Sequence, residues 1–165
     1  MFLTILASIS SIAALAQQSA TDVAIGAPTA IVADATGNIY FAVSKAYSPD
    51  KYVPAVLKLD RDGVLTRVAG TVDIVGQERS GLFQNYPPAL GDGGPATSAP
   101  LTDPAALALD RQGNLYIADG AGGRIRKVTP DGIITTVAGG VGRYIYQEDN
   151  GDGGPATSAH FFYPY

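Results

Sequence analysis

The sequence contains no cysteine, no tryptophan and a single histidine among its 165 residues. Without cysteine, neither a disulfide nor a thiol nucleophile is available. It also lacks a Gly-x-Ser-x-Gly elbow, a phosphate-binding loop and a His-x-x-x-His zinc pair. His160 is therefore either an ordinary loop residue or part of a site whose other half is missing. These absences predict no catalytic residue, no metal site and no cofactor, and they favour a non-catalytic protein over an enzyme.

Charged residues are absent from residues 2–16, which are mostly apolar and end with Ala14-Leu15-Ala16. Small residues in this spacing are typical of a signal-peptidase cleavage site. The stretch is too short to span a bilayer permanently as a helix. We therefore expect a cleaved signal peptide and a secreted, periplasmic or cell-surface location, without a permanent membrane span. The alternative is a buried or disordered apolar leader.

A nonamer, Gly-Asp-Gly-Gly-Pro-Ala-Thr-Ser-Ala, occurs unchanged at 91–99 and again at 151–159. We call these copies nonamer 1 and nonamer 2. Their separation of 60 residues also carries Pro104 onto Pro164, so the last segment reads as the start of a further unit. A fixed repeat of this kind indicates a repeat architecture. We expect the full-length protein to contain more such units.

The repeating unit is clearest over 104–140, where short apolar runs alternate with turn residues. The runs are 105–110, 115–119, 124–129 and 133–139, separated by 112–114, 120–123 and 130–132. Gly, Asn and Pro-Asp in the gaps begin turns or tolerate positive φ, which predicts a four-stranded antiparallel meander. An earlier copy begins at Pro28. Because the runs are apolar at nearly every position, both faces should be covered, as in the radially repeated sheets of a β-propeller.

These residues resemble an NHL-repeat propeller blade. The resemblance rests on Asp110-x-x-Gly113-Asn114-Leu115-Tyr116-Ile117-Ala118-Asp119, then Arg124-Ile125-Arg126-Lys127-Val128 and Thr135-Thr136-Val137-Ala138-Gly139. The nonamer between units is similar to that of bacterial exported NHL proteins and, more distantly, to the NHL propeller of teneurins. The resemblance covers about 28–165. It implies an all-β propeller of four-stranded antiparallel blades, here two complete blades and the start of a third. Activity stays open, because NHL proteins include binding modules, scaffolds and a few lyases.

The sequence departs from the NHL pattern at two places. Residues 120–123 are Gly-Ala-Gly-Gly where NHL blades usually carry Asn before the Arg-Ile pair, so the loop should keep its turn but lose a side-chain cap. In the first copy, Val43 stands where Asp119 stands in the second. The first blade must therefore do without whatever Asp119 contributes.

The only basic cluster is Arg124-Ile125-Arg126-Lys127, in a chain whose formal net charge is −4. This cluster could bind an anionic patch of a partner. Alternatively, it could be a strand whose long side chains cover a blade edge and form ion pairs. The match of Lys58 to Lys127 favours the second interpretation. A surface that follows nucleic-acid phosphates is normally basic, so we expect no nucleic-acid partner.

The two ends of the meander differ in loop length. Turns after strands one and three share one end, the turn rim, and connections after strands two and four share the other, the connection rim. All long segments, at 44–54, 71–103 and 141–163, belong to the connection rim. Loops on a rigid scaffold often carry function, and tyrosine combines apolar contact with a polar tip. The predicted ligand-binding residues are therefore five tyrosines of these segments: Tyr47, Tyr52, Tyr86, Tyr144 and Tyr146. The alternative is that they pack the loops onto the blades.

Asp92 and Asp152, the aspartates of the two nonamers, could be read as calcium ligands. A calcium loop needs several further oxygen donors. Residues 148–150 supply some beside Asp152, but 88–90 do not beside Asp92. An aspartate that caps its own turn, followed by Pro95 opening a short helical turn, explains the motif without metal. We expect a structural role.

The sequence therefore divides into six parts. They are a signal peptide (1–16), an N-terminal linker (17–27), a first blade (28–71), an inter-blade segment (72–103), a second blade (104–140), and a segment with the truncated start of a third (141–165). The predicted function is a non-catalytic binding or interaction module for a protein, peptide, carbohydrate or cell-surface partner. One alternative is a metal-dependent lyase or lactonase-like propeller enzyme. Another is a structural or adhesive array.

Overall fold

The computed structural model describes residues 18–19, 27–43, 54–71, 91–140 and 151–165, the first pair by backbone alone. The strands are β1 (Gln18–Ser19), β2 (Pro28–Ala33), β3 (Ile39–Val43), β4 (Ala55–Leu59), β5 (Val64–Ala69), β6 (Pro104–Leu109), β7 (Leu115–Asp119), β8 (Arg124–Val128) and β9 (Ile134–Ala138). Short 3-10 turns are formed by Ala96–Ser98, Gly120–Gly122 and Ala156–Ser158. None of the helical segments in these ranges is long and apolar enough to cross a membrane.

The strands form two antiparallel sheets, and the predicted all-β propeller fold is confirmed. Sheet 1 has the order β1-β5-β4-β3-β2, and sheet 2 has the order β6-β7-β8-β9. Four strands of each sheet are the predicted meander, since consecutive strands are neighbours. The last strand of sheet 2 begins at Ile134, one residue later than the sequence suggested, because Ile133 pairs instead with Pro95.

The two meanders share their register as well as their order. The pair Tyr40 and Lys58 in sheet 1 corresponds to the pair Tyr116 and Lys127 in sheet 2. Register shifts occur at the same places in both sheets, near the start of the first strand and between the third and fourth strands. The sequence repeat is therefore also a structural repeat.

Sheet 1 has a fifth strand, β1, that lies within the predicted N-terminal linker. Gln18 pairs with Leu65 and Ser19 with Val64, on the outer edge of β5. The sequence offset that aligns Pro28 with Pro104 also places Ser19-Ala20-Thr21 on Pro95-Ala96-Thr97 of nonamer 1. Gln18–Ser19 thus occupies the edge of sheet 1 as nonamer 1 occupies the edge of sheet 2.

Aspartates close three of the turns on the turn rim. Oδ1 of Asp34, Asp60 and Asp110 accepts hydrogen bonds from the backbone N–H groups two and four residues later, at 2.8–3.0 Å. The side-chain amides of Asn38 and Asn114 donate to Oδ2 of Asp34 and Asp110 at 2.7 Å. These amide hydrogen bonds lower the pKa of both carboxyls below the ordinary value. The short turns are therefore fixed by their own side chains.

The main hydrophobic core lies between the sheets. It combines Ala42, Val56 and Ala69 of sheet 1 with Leu115, Ile117, Val128 and Ile134 of sheet 2, and with Ala96, Ala99 and Leu101 of the connecting segment. We call the side of sheet 2 that bears Ile117 its front face, which packs on sheet 1. The equivalent front face of sheet 1 bears Phe41 and Leu65, in a separate cluster. Each sheet therefore has a front and a back face of different composition.

Candidate functional site at the connection rim

Asp119 anchors the connection rim of sheet 2. It ends β7, and its side chain is only 1% exposed. Its Oδ1 accepts hydrogen bonds from the backbone N–H of Thr102 at 2.8 Å, the Thr102 hydroxyl at 2.7 Å and the backbone N–H of Asp103 at 2.8 Å. The carboxylate thus fixes the chain as it enters β6. Asp119 is the residue that the first copy of the repeat lacks.

The protonation of Asp119 reflects opposing influences. Burial raises the pKa of this carboxyl above its ordinary value, because an ionised group loses hydration there. The hydrogen bonds from Thr102 and Asp103 lower the pKa, as does the positive charge of Arg126. Burial is the largest influence, so the net direction is upward. Asp119 is held in place by contacts that favour its ionised form, against the cost of burying it.

Arg126 is the second buried charge, with a side chain that is fully inaccessible. Its Nη2 lies 2.6 Å from Oδ1 of Asp92 in nonamer 1, while the Asp92 side chain remains 41% exposed. Burial tends to raise the pKa of Asp92, but the neighbouring Thr136 and the charge of Arg126 outweigh burial and lower that pKa. The ion pair connects nonamer 1 to the front face of sheet 2.

The interpretation of Asp92 as a cap of its own turn is wrong. The nonamer turn is closed by the backbone, from the N–H of Gly94 to the carbonyl of Gly91, and the Asp92 carboxylate faces Arg126 instead. The expected 3-10 turn after Pro95 is confirmed. The basic cluster does form an ion pair, as predicted, but Arg126 lies between the sheets and not over a blade edge.

The glycine-rich loop of sheet 2 supports the aromatic residues near the chain terminus. A Cβ at Gly120 would lie 3.0 Å from the ring of Tyr163, and one at Gly123, where φ is +59°, would lie 2.7 Å from the carbonyl oxygen of Phe161. Tyr163 also donates a hydrogen bond to the Asp103 carboxylate. Glycines therefore replace the usual NHL asparagine where the aromatic segment lies against the loop.

That aromatic segment leaves apolar surface exposed at the connection rim. Phe162 is 76% exposed and Tyr165 is 94% exposed, whereas Phe161 and Tyr163 are about half as exposed. Tyr163 packs on the glycine-rich loop. Sequence reasoning missed the phenylalanines, although their adjacency to a tyrosine pair was visible.

The predicted ligand-binding tyrosines, Tyr47, Tyr52, Tyr86, Tyr144 and Tyr146, lie outside the described residues. Their role stays a prediction. The segments that contain them leave described strands after Val43, Thr71 and Gly140, at the connection ends of β3, β5 and β9. The possible calcium donors at 148–150 also lie outside. Within the described ranges, no three His, Cys, Asp or Glu side chains are grouped closely enough to hold a metal ion.

Comparison with known proteins gives a specific match for part of the chain. Residues 83–153 match the family model described as Teneurin NHL domain. Over 49–52 residues the chain is 42% identical to Teneurin-1 of Gallus gallus, 47% to Teneurin-4 of Mus musculus and 49% to Teneurin-3 of Danio rerio. These alignments cover 30–32% of this chain but only 2% of each teneurin.

Two solved structures are similar to the chain at low sequence identity. A virginiamycin B lyase from Staphylococcus aureus is 16% identical, with a TM-score of 0.42, over 81% of this chain and 32% of that one. A protein of unknown function from Bacteroides thetaiotaomicron is 21% identical, with a TM-score of 0.49, over 85% of this chain and 41% of that one.

Two repeated four-stranded meanders and the Teneurin NHL domain match point to the same architecture. The match includes nonamer 1 and all of sheet 2, where the blade pattern is most complete. The closer likeness to bacterial exported NHL proteins stays a prediction. Residues 83–153 are similar to the Teneurin NHL domain, and the two repeated meanders of the described residues support an NHL-type β-propeller fold.

Proposed function

We propose that this chain is an exported, non-catalytic binding module that contacts a protein or carbohydrate partner through its connection rim. The observation that carries the proposal is the difference between the two rims. On the turn rim, aspartates and backbone groups of the same turn satisfy one another. On the connection rim, the long segments leave the strands, and the aromatic segment beside the glycine-rich loop exposes Phe162 and Tyr165.

The buried charges of sheet 2 also support a binding role. Asp119 is 1% exposed and Arg126 is fully buried, so neither can touch a substrate at the surface. Asp119 holds the entry to β6, and Arg126 holds nonamer 1. These charged side chains stabilise the scaffold that carries the rim. A rigid scaffold with variable long segments is a common arrangement for recognition.

Tyrosine-rich rims suit partners that offer both apolar surface and hydroxyl or amide groups. The tyrosine ring supplies contact area with only two rotatable bonds, and its hydroxyl donates or accepts a hydrogen bond. Sugar rings and extended peptides both have this mixed chemistry. The five predicted tyrosines and the exposed Phe162 would together form such a surface.

A glycan array probed with the full chain tests the proposal. The test variant replaces Tyr47, Tyr52, Tyr86, Tyr144 and Tyr146 with serine. The matched control replaces exposed turn-rim residues, Arg61, Arg111 and Asp131, with serine. We expect a glycan signal that falls at least about tenfold in the tyrosine variant, since each lost aromatic contact costs on the order of 1 kcal/mol, and that persists in the control. Loss of signal only in the control would contradict the proposed rim.

Export is tested separately by the intact mass of the secreted chain. Cleavage after Ala16 should remove residues 1–16, and replacing Ala14 and Ala16 with arginine should block this cleavage. An unprocessed chain that stays inside the cell would contradict export without affecting the proposed binding surface.

A further inference from the structure

A series of direct contacts connects the buried carboxylate of Asp119 to an aromatic ring at the connection rim. Oδ1 of Asp119 accepts a hydrogen bond from the backbone N–H of Asp103 at 2.8 Å. The Asp103 carboxylate accepts a hydrogen bond from the hydroxyl of Tyr163. The Tyr163 ring lies against Gly120, which follows Asp119 in the chain, and the N–H of Gly120 donates to the Asp103 carbonyl at 2.9 Å. The position of the ring is therefore tied to Asp119 through Asp103.

Oδ1 of Asp119 carries the hydrogen bonds that hold the segment before β6. Besides the N–H of Asp103, it accepts the backbone N–H of Thr102 at 2.8 Å and the Thr102 hydroxyl at 2.7 Å. An ionised acceptor makes hydrogen bonds that are roughly twice as strong as those of a neutral one. How firmly Thr102 and Asp103 are held therefore depends on the charge of Asp119.

Oδ2 of Asp119 lies next to the glycine-rich loop of sheet 2. A Cβ at Gly122 would lie 3.2 Å from this oxygen and 3.4 Å from Nη1 of Arg124. The hydrogen bonds from Thr102 and Asp103 all end on Oδ1. A proton can therefore be added at Oδ2 while these donors keep their geometry around Oδ1.

The charged groups around Asp119 come from three elements. Strand β8 supplies Arg124, the cross-strand partner of Asp119, and Arg126, whose charge lowers the Asp119 pKa. Nonamer 1 supplies Asp92, which binds Arg126. The segment before β6 supplies the carboxylate of Asp103. The buried residues that sheet 1 contributes to the core on this face are uncharged, namely Ala42, Val56 and Ala69.

Burial and hydrogen bonding act in opposite directions on this carboxyl group. Burial raises the pKa of Asp119 and is the largest influence, whereas the donors of Thr102 and Asp103 lower it. Protonation therefore removes the cost of burying a charge, but it also weakens the hydrogen bonds that hold the segment before β6. Sheet 2 can stay folded while this segment loosens.

We propose that Asp119 is a pH-sensitive switch, whose protonation loosens Thr102 and Asp103 and thereby shifts Tyr163 at the connection rim. The ionised carboxylate fixes the segment and keeps the ring on Gly120. The protonated carboxyl leaves sheet 2 folded but allows Asp103, and the ring that it binds, to move. This inference concerns the conformation of the rim and does not depend on the proposed partner.

Asp110 provides a matched control within the same sheet. Its Oδ1 accepts the backbone N–H groups of Gln112 and Asn114 at 3.0 and 2.8 Å, just as Oδ1 of Asp119 accepts two backbone N–H groups. Asp110 lies on the turn rim, where the hydrogen bonds from Asn114 lower its pKa below 3.8. The pKa of Asp119 is raised above 3.8. As pH falls, Asp119 should therefore be protonated while Asp110 is still ionised.

Hydrogen exchange on the full chain tests the first half of the switch. Carbon-13 NMR of the side-chain carboxyls gives the titration midpoint of Asp119, and exchange rates relative to an unstructured chain give the protection of each amide. We expect protection of the Thr102 and Asp103 amides to fall at least about fivefold as pH drops through this midpoint. The Asn114 amide should keep its protection over the same range. Unchanged protection at Thr102 and Asp103 would overturn the proposal.

The ring signals of Tyr163 test the second half. We expect their chemical shifts to change with the Asp119 midpoint in the unaltered chain. Asp103→Ala removes the acceptor of the Tyr163 hydroxyl but keeps the backbone N–H, so the amide should still respond to pH while the ring no longer follows the Asp119 midpoint. Asp131→Ala, at an exposed turn-rim position, is the control and should leave both responses intact. A ring that follows this midpoint in Asp103→Ala, or does not follow it in the unaltered chain, would contradict the inferred connection.

Asp119→Asn removes the titrating group while keeping a neutral acceptor of the same shape. We expect its Thr102 and Asp103 amides to have, at every pH, the low protection of the unaltered chain in acid. The Tyr163 ring should lose its transition at the Asp119 midpoint. Protection that still falls over the same pH range in Asp119→Asn would assign the switch to another group and overturn the proposal. Asp103→Ala keeps the buried carboxyl, so the second half of the switch is tested even if the asparagine variant does not fold.

Discussion

The front face of sheet 2 buries Asp119, Arg124 and Arg126, whereas the equivalent positions of sheet 1 hold Val43, Ala55 and Leu57. Both faces have the same strand order and the same register shifts. Sheet 1 keeps one cation on this face, Arg67, which corresponds to Thr136 of sheet 2. One backbone scaffold thus supports an apolar face and a charged face.

The two faces depend on different sources of stability. The face of sheet 1 is stabilised by removing Phe41, Leu57 and Leu65 from water, which is non-directional and roughly proportional to area. The face of sheet 2 contains charges that lose hydration, so it is stable only if every charge keeps its partners. The charged side chains of this face fix the positions of the two segments that they contact, namely nonamer 1 and the entry to β6.

Features common to both sheets explain why the scaffold tolerates this exchange. The strand ladders are the same in each sheet, an aspartate closes the turn after the first meander strand in both, and neither feature depends on the front-face side chains. The difference is in what each front face carries. The front face of sheet 2 adds charged contacts to nonamer 1 and to the entry to β6 beside its apolar packing on sheet 1, whereas the front face of sheet 1 bears an apolar cluster.

Arg126→Leu should give the largest loss of stability, because it copies the residue of sheet 1 into the charged face. Asp119 would lose the nearby positive charge that lowers its pKa, and Asp92 would lose its ion-pair partner. We expect a loss of about 4 kcal/mol, typical when a buried charged group, here Asp119, loses the opposite charge near it, measured by urea unfolding. Arg111→Leu, on the exposed turn, is the control and should change little.

A combined variant sharpens the same comparison. Asp92→Ala, Asp119→Val, Arg124→Ala and Arg126→Leu together give sheet 2 the apolar chemistry of sheet 1. Because no unpaired charge remains, we expect the fourfold variant to be more stable than Arg126→Leu alone. If the loss of stability in the fourfold variant equals the sum of the losses of the four single variants, the charges stabilise the face individually and not as a set.

Asp119→Val is expected to have the next largest effect. It removes the acceptor of three hydrogen bonds, so the half-buried donors of Thr102 and Asp103 lose this partner. We expect a loss of about 3 kcal/mol, since each unsatisfied buried donor costs about 1–3 kcal/mol. Thr102→Val removes only one of the three bonds and should cost about 1 kcal/mol. A larger loss for Thr102→Val than for Asp119→Val would contradict the anchoring role of Asp119.

The meander was predictable because its signals are local. Gly-Asn after an aspartate marks the turns, and short apolar runs between them mark the strands. The 3-10 turn after Pro95 was predictable for the same reason. All of these depend on residues within a few positions of one another. Local chemistry therefore determined the strand order and the two rims.

The charged contacts of the site were not predictable because they are long-range. Asp92 and Arg126 are 34 residues apart and belong to different structural units. The available signal was that Arg126 occupies a position that holds the apolar Leu57 in the other copy of the repeat. The pairing of Gln18–Ser19 with β5 had a weaker signal, because only Ala-Thr of the nonamer is retained beside it.

The pH dependence of stability should have opposite signs for Asp119 and Asp110. The pKa of Asp119 is raised from 3.8, so its contribution is complete below about pH 4 and is lost as pH rises through the folded-state pKa. The pKa of Asp110 is lowered from 3.8, so its contribution is present above about pH 4 and is lost as pH falls.

Urea unfolding from pH 3 to pH 7 separates these two effects. Asp110→Asn should flatten the loss of stability at acidic pH, because the variant cannot be protonated at this position. Asp119→Asn should instead make stability rise more with pH, because it removes a group that binds its proton more tightly in the folded state. Identical pH profiles for the two variants would contradict the opposite pKa directions.

The smallest expected effects concern the turn rim, where the two sheets should behave alike. Tyr116 donates to Oδ2 of Asp110 at 3.2 Å, and Tyr40 donates to Oδ2 of Asp34 at 3.5 Å. Tyr116→Phe should lower the unfolding midpoint slightly, and Tyr40→Phe should lower it less because the longer bond is weaker. Both losses should be far smaller than that of Asp119→Val. A large loss from either phenylalanine variant would mean that the turns, and not only the front faces, distinguish the two sheets.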